Sequence, residues 1–351
     1  MAPFNQAISN FAYNRTEGLD VDVYSGEVDK EWIVGSVPHG GYVLAMMLQI
    51  CTQRQAKLES RLKTTHHPDL IHVTAHFFGP SRVASFEVHI KTLKTRRMMT
   101  NLQADFVQDH KTIISAHVIY GTLAYPIKPS RKRIPIHRHP ATAADDQCHP
   151  AIRFGQSVWM KPDHHDQPHP EASDAGNSSE PQLGSQRHRP SSGSHEEEET
   201  AMWCGFPRHQ DQQNQDSLGN IITPPALLFF ADMNQRMDWV TRWYPTIILS
   251  VDFRCRIPSK STKGDRPNFF DAFSKHLIGI YTKYQYAPVN APWGKHDIHT
   301  ELWTAPSMES MEGESDDWRD KQVCLAVARQ MAMTVPMSTN LANKGRGRAM
   351  L

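Results

Sequence analysis

One arrangement is written twice along this chain, and it limits the possible folds more than any other feature. An apolar helix is expected from about Gly41 to about Leu62, opening with "GGYVLAMMLQI". Strand-like runs follow it: "LIHVTAHFF", "VASFEVHIKTLKT", "MTNLQADFVQ" and "TIISAHVIYGTL", with "QDHK" as a turn between the last two. Their β-branched residues and near-alternation of apolar and polar side chains predict antiparallel strands. Beyond residue 220 the pattern returns. "TPPALLFFADMNQRM" reads as a helix, and "PTIILSVDFRCRIP", "HLIGIYTKYQYA", "KHDIHTELWTA" and "QVCLAVARQMAMTV" read as its strands. A repeat of this size implies two like units that bury their apolar faces together.

A helix packed on an antiparallel sheet, duplicated in one chain, predicts an α+β fold of the double hot-dog kind. The expected division is an N-terminal unit over 1–130, a linker over 131–149 and a C-terminal unit over 150–340, with a tail at 341–351. The C-terminal unit carries two inserts. Residues 162–199 are rich in His, Pro, Ser, Gly and Gln and end in a Glu run, a composition expected to be disordered because it buries too little apolar surface. Residues 306–320 form a shorter acidic insert. Histidines gather between 131 and 209, but their spacing matches no zinc ligand set, so no metal and no cofactor are expected.

Composition excludes several classes. A formal charge of +1 gives no whole-chain argument for nucleic acid. The five cysteines are scattered, without a Cys-x-x-Cys, which suits a reducing compartment. No run reaches the ~20 apolar residues that a membrane span needs. The start, "MAPFNQAISNF", lacks the pattern of a secretory signal. The end, "RGRAML", resembles a peroxisomal tripeptide only in its final Leu. The expected location is cytoplasmic, with the peroxisome as the alternative.

Laying one half over the other exposes an asymmetry. With "GGYVLAMML" on "PPALLFFAD", Asp232 answers to Leu48; with Phe77 on Phe253, Thr246 answers to Leu70; with "ISAHVIY" near "AVARQMA", Gln330 answers to Val118. Three apolar positions of the first half are therefore polar in the second. The helix starts differ the other way. Gly40 and Gly41 leave N–H groups approachable at a helix N-terminus, where a carbonyl oxygen or anion is favoured. Their counterparts Pro224 and Pro225 have no N–H. One half is thus equipped to polarise a carbonyl and the other to present a water. Strict alternation speaks against one member: it places Thr246 with Ser250 and Asp252, away from Leu249 and Val251.

The segments "PHGGYV", "LLFFADMN", "PTIILSVDF" and "VARQMAM" together resemble the acyl-CoA thioesterase II family and its thioesterase-like double hot-dog relatives. The resemblance implies hydrolysis of acyl-CoA, or of an acyl group on a carrier protein, to free acid and thiol. It implies an Asp, a Thr and a Gln as catalytic residues, which fall on Asp232, Thr246 and Gln330. Where the family commonly has an Asp-His pair after that Thr, this chain has Ile248-Leu249. The three residue types suit the chemistry: a carboxylate accepts a proton from water while a hydroxyl and an amide hold it. Gly40 and Gly41 are the expected oxyanion donors. There is no Gly-x-Ser-x-Gly elbow and no hydratase Asp-x-Asn/Ser-Pro-x-His run. Arg96, Arg97, Arg254 and Arg256 are read as solvated strand positions. Two alternatives are a thioesterase that releases the product of a biosynthetic pathway and a catalytically silent acyl-CoA binder. Assembly into a homo-oligomer is left open.

Overall fold

The computed structural model describes residues 2–18, 20–62, 66–126, 128–137, 139–140, 149–150, 159–162, 197–206, 221–233, 242–257, 273–287, 294–306 and 316–343. The first half opens with a short helix α1 (Phe4–Ala7), strands β1 (Phe11–Glu17) and β2 (Val21–Glu27), and a small ribbon of β3 (Ile33–Val34) and β4 (Val37–Pro38). Then come the long helix α2 (Gly40–Leu62) and strands β5 (Asp69–Phe77), β6 (Ser85–Thr95), β7 (Thr100–Gln108) and β8 (Lys111–Gly121). The second half has β9 (His149–Pro150), β10 (Trp159–Pro162), β11 (Glu197–Gly205), α3 (Pro224–Ala231), β12 (Arg242–Trp243) and β13 (Thr246–Phe253). It continues with β14 (Phe273–Ala287), β15 (Gly294–Pro306), a 3-10 helix (Asp316–Lys321), β16 (Cys324–Pro336) and α4 (Met337–Ala342).

Strand order makes the duplication explicit. The main sheet runs β1-β2-β6-β7-β8-β5-β13-β16-β15-β14-β11-β10-β9, which reads alike from either side of the β5/β13 junction. The junction is antiparallel, with Val251 opposite Val73. Register is shared as well: Val73 faces Val118 in the first half, and Leu249 faces Gln330 in the second. The helices begin at Gly40 and Pro224, so the residue-by-residue overlay of the halves holds along both helix and strands. The turn at "QDHK" forms as expected; Asp109 and His110 both have positive φ, as the two central residues of a type I′ hairpin require.

Both helices lie against the concave face of the sheet. Tyr42 to Leu48 of α2 and Ala226 to Phe230 of α3 are inaccessible to solvent and share one apolar cluster with Val73, Val118, Leu249 and Val251. Burying each such Leu or Phe contributes about 1.5–3 kcal/mol. No helix among the described residues is long and apolar enough to cross a membrane.

The edges depart from expectation. β1 and β2 at one margin, and β9 to β11 at the other, were not evident in the sequence. Pro162 and Glu197–Glu199, expected in the disordered insert, belong to β10 and β11. The backbone of Glu197–Glu199 pairs with β14, and Glu199 is received by the next strand: Tyr281 donates to it at 2.5 Å, and Lys283 pairs with it. Residues 163–196 lie outside the described residues. In the acidic insert, Pro306 closes β15 and Asp316–Lys321 is a 3-10 helix, whose Arg319 donates to the Ile134 carbonyl at 3.1 Å; 307–315 are outside the description. The start of the linker is packed, with Ile134 and Ile136 buried against Trp203, Leu277 and Trp303 on the outer face of the second half. At the tail, Leu341 and Ala342 complete α4, whose Asn340 accepts a hydrogen bond from the Ser36 N–H at 2.8 Å; 344–351 are not described.

Candidate active site

The glycines at the start of α2 are explained first by packing. A Cβ on Gly41 would lie 2.7 Å from Asp232 Cβ, 2.7 Å from the Leu228 carbonyl oxygen and 3.0 Å from Phe229 Cα. Only a glycine lets the amino end of α2 meet the carboxyl end of α3 so closely. That approach brings Asp232 onto the N-terminus of the other half's helix. Asp232 is the C-cap of α3, where its charge opposes the dipole of its own helix. The start of α2 supplies the favourable sign, and the Gly41 N–H donates to Asp232 Oδ2 at 2.6 Å.

The other carboxylate oxygen is held by two strands. Thr246 Oγ1 and Gln330 Nε2 each donate to Asp232 Oδ1 at 2.5 Å. Gln330 Nε2 also donates to Thr246 Oγ1. One amide NH2 therefore fixes both of the other groups. All three sequence-predicted catalytic residues converge, from α3, β13 and β16. The alternation problem at Thr246 is removed by a β-bulge. Thr246 pairs with Ala332 and Ile248 with Met331, so Ile247 is an extra residue and Thr246 returns to the inner face with Leu249 and Gln330. The same irregularity occurs at Ile71 in β5, where it turns Leu70 inward.

Two assignments change. The Gly41 N–H is occupied by the carboxylate, so it is not a free donor for a substrate oxygen. Gly40 remains: as the first residue of α2 its N–H has no acceptor within the helix, and the residue lines the adjacent cavity. Gln330 is 3% exposed and is not among the residues lining the cavity; its amide reaches Asp232 and Thr246.

The sequence reading missed His39. Its carbonyl accepts the Val43 N–H, and its Nδ1 accepts the Tyr42 N–H at 3.3 Å, which makes it the N-cap of α2. Thr223 does the same for α3, accepting from the Ala226 N–H. With Nδ1 as acceptor, the Nε2–H of neutral His39 faces Asp232 Oδ2, 3.7 Å away. The available signal was its place directly before the two glycines, at the position equivalent to a capping threonine.

A cavity of about 170 Å³ opens on this group. His39, Gly40, Asp232 and Thr246 line it, together with Ser81 and Tyr244, and Val34, Val37, Phe77, Ile114, Trp243 and Ile247 give it apolar walls. The four described cysteines offer no rival nucleophile: burial pushes the thiols of Cys51, Cys255 and Cys324 up to about 12, and Cys204 higher still.

Residues 28–121 match the family model of the acyl-CoA thioesterase N-terminal domain. Over those residues the first half of the chain is similar to an acyl-CoA thioesterase N-terminal domain. Solved structures extend the fold likeness along the chain. A protein of unknown function with a hot-dog fold from Alicyclobacillus acidocaldarius is 15% identical, with 95% of this chain and 97% of that one covered and a TM-score of 0.56. A putative thioesterase II from Thermobifida fusca is 17% identical over 95% and 97%, with a TM-score of 0.52. The acyl-CoA thioesterase II TesB2 of Mycobacterium marinum is 11% identical over 93% and 96%, with a TM-score of 0.50. The fold is thus the double hot-dog. Comparison with curated proteins finds no significant match.

Proposed function

We propose that this chain hydrolyses acyl-CoA thioesters by direct attack of water, in a single site built from both halves. The observation that carries the reading is the Asp232 carboxylate, placed in a cavity by donors from α2, β13 and β16. The Thr246 oxygen donates to Asp232 and accepts from Gln330, which leaves one lone pair for a water. A water donating to that lone pair and to Asp232 Oδ2 turns its own lone pair toward the thioester carbon. As it attacks, its proton passes to Asp232, and the carbonyl oxygen takes the negative charge at the Gly40 N–H and the positive end of α2. Collapse of this intermediate expels the CoA thiolate, which recovers the proton. The four described cysteines are free, which suits work in the cytosol, in lipid metabolism.

Asp232→Asn tests the reading. It removes the base at constant size, so kcat should fall by about 10²–10⁴ with KM little changed. It also sets an NH2 against at least one of the buried donors that now meet the carboxylate, which costs about 1–3 kcal/mol of stability. Thiol release and urea unfolding are the measurements. A folded Asp232→Asn protein that turns over acyl-CoA at the parent rate would show that the chemistry lies elsewhere, and absence of thiol release from the parent protein would leave only binding.

A further inference from the structure

The size and walls of the cavity bear on which acyl groups fit, and this step rests on the hydrolase reading above. His39, Gly40, Asp232 and Thr246 bring the site's polar groups to one part of the cavity, and Ser81 and Tyr244 also line it. The side chains of Phe77, Ile114, Trp243 and Ile247 give the cavity an apolar wall that suits the acyl arm rather than the amide-bearing pantetheine arm. At about 170 Å³ the space is small. An apolar cavity of about 150 Å³ holds one benzene, whereas pockets for drug-sized ligands run to about 300–1,000 Å³.

Among the described residues, aromatic rings pack behind it. His39 stacks at a tilt on Phe229, with ring centroids 5.0 Å apart. Phe229 is 5.0 Å from Phe4, which in turn is 5.0 Å from Trp32 and 5.2 Å from Phe206. All four of these rings are completely buried, at 0% exposure. They form a packed aromatic cluster behind His39.

We propose that this cavity is the acyl subsite and that it restricts the substrate to compact acyl groups, a straight chain of about six carbons or one ring. Phe77 closes the apolar wall beside Gly40, where a Cβ on that glycine would lie 3.2 Å from its ring, and is the residue that sets the limit.

The experiment compares acetyl-, butyryl-, hexanoyl-, decanoyl-, palmitoyl- and benzoyl-CoA by thiol release. In parallel, calorimetry follows binding of the non-hydrolysable S-alkyl-CoA thioethers of the same lengths. Each methylene that enters the cavity should raise kcat/KM and affinity about fourfold. The gain should stop near hexanoyl, benzoyl-CoA should match hexanoyl-CoA, and Phe77→Ala should move the stop to longer chains. Decanoyl- or palmitoyl-CoA turned over more efficiently than hexanoyl-CoA, or decyl thioether binding that keeps the same gain per methylene, would overturn the proposal. If no ester is hydrolysed but thioether affinity levels off near six carbons, the size limit stands and the hydrolase reading fails.

Discussion

Exchanging each glycine of the α2 start for alanine separates packing from chemistry. At position 41 the new methyl group meets atoms that have no freedom to move aside: the Leu228 carbonyl oxygen and Asp232 Cβ at 2.7 Å, and Phe229 Cα at 3.0 Å. The helices must move apart, and overpacking of this kind costs about 1–3 kcal/mol. Alanine returns at most ~1 kcal/mol of helix propensity, so Gly41→Ala should still be less stable than the parent by up to about 2 kcal/mol. The movement also stretches the bond from the Gly41 N–H to Asp232, so activity falls too. At position 40 the methyl group meets only side-chain tips, Asp232 Oδ2 at 3.0 Å and Phe77 Cε1 at 3.2 Å. These can shift, so Gly40→Ala should keep parent stability. It crowds the water and oxyanion positions, and a misplacement approaching 1 Å costs about 10² in rate. Urea unfolding followed by tryptophan fluorescence reads the first effect, and thiol release from hexanoyl-CoA reads the second. A Gly41→Ala protein with unchanged stability and rate would refute the close-approach argument. A fully active Gly40→Ala protein would refute the placement of the carbonyl beside Gly40.

Other consequences can be checked in the same assays. Gln330→Ala frees Asp232 Oδ1 and Thr246 Oγ1 from their common donor, so kcat should drop by about 10²-fold while KM holds. Deleting Ile247 removes the bulge but leaves Thr246 beside Ile248, still opposite Ala332 and on the inner face, so the product should be faster than Thr246→Ala; one as slow as that variant would show that the ladder alone does not aim the hydroxyl. Burial would raise the Glu301 carboxyl, but hydrogen bonds from His299, Lys132 and Trp303 outweigh it and hold the group at about 2. Its contribution to stability is therefore complete above the ordinary carboxylate range and fades as pH falls toward 2, so Glu301→Gln should flatten the acid limb of a stability-against-pH curve.

Much of the site was legible because each half serves as a reference for the other. Asp232, Thr246 and Gln330 stand where Leu48, Leu70 and Val118 mark the ordinary apolar solution, and the shared register bears that overlay out. What escaped notice depends on distances that no local pattern encodes. The bulge at Ile247 reverses the facing of a single residue, and only pairing with β16 reveals it. The Gly41 N–H looked available until α3 was placed against it. β1, at one edge, and β11, near the other margin, have mixed polarity, so their alternation is weak and their partners, β2 in one half and β14 in the other, decide their structure. His39 is a capping residue in one direction and an active-site wall in the other, and the sequence shows only the first.

The antiparallel seam between β5 and β13 joins two units that would, as separate chains, have to find each other in solution. Here the partner is tethered, and its effective concentration is set by the connecting segment rather than by the amount of protein present. Specific activity should accordingly be constant on dilution, where an enzyme whose site straddles two free subunits would fade. A covalent partner also relieves the halves of having to be identical. A pair of like subunits carries two copies of every site and must accept each substitution in both. This chain keeps the carboxylate on one side and the helix N–H groups on the other, and it offers substrate one site per polypeptide, so its saturation curve should be a plain hyperbola.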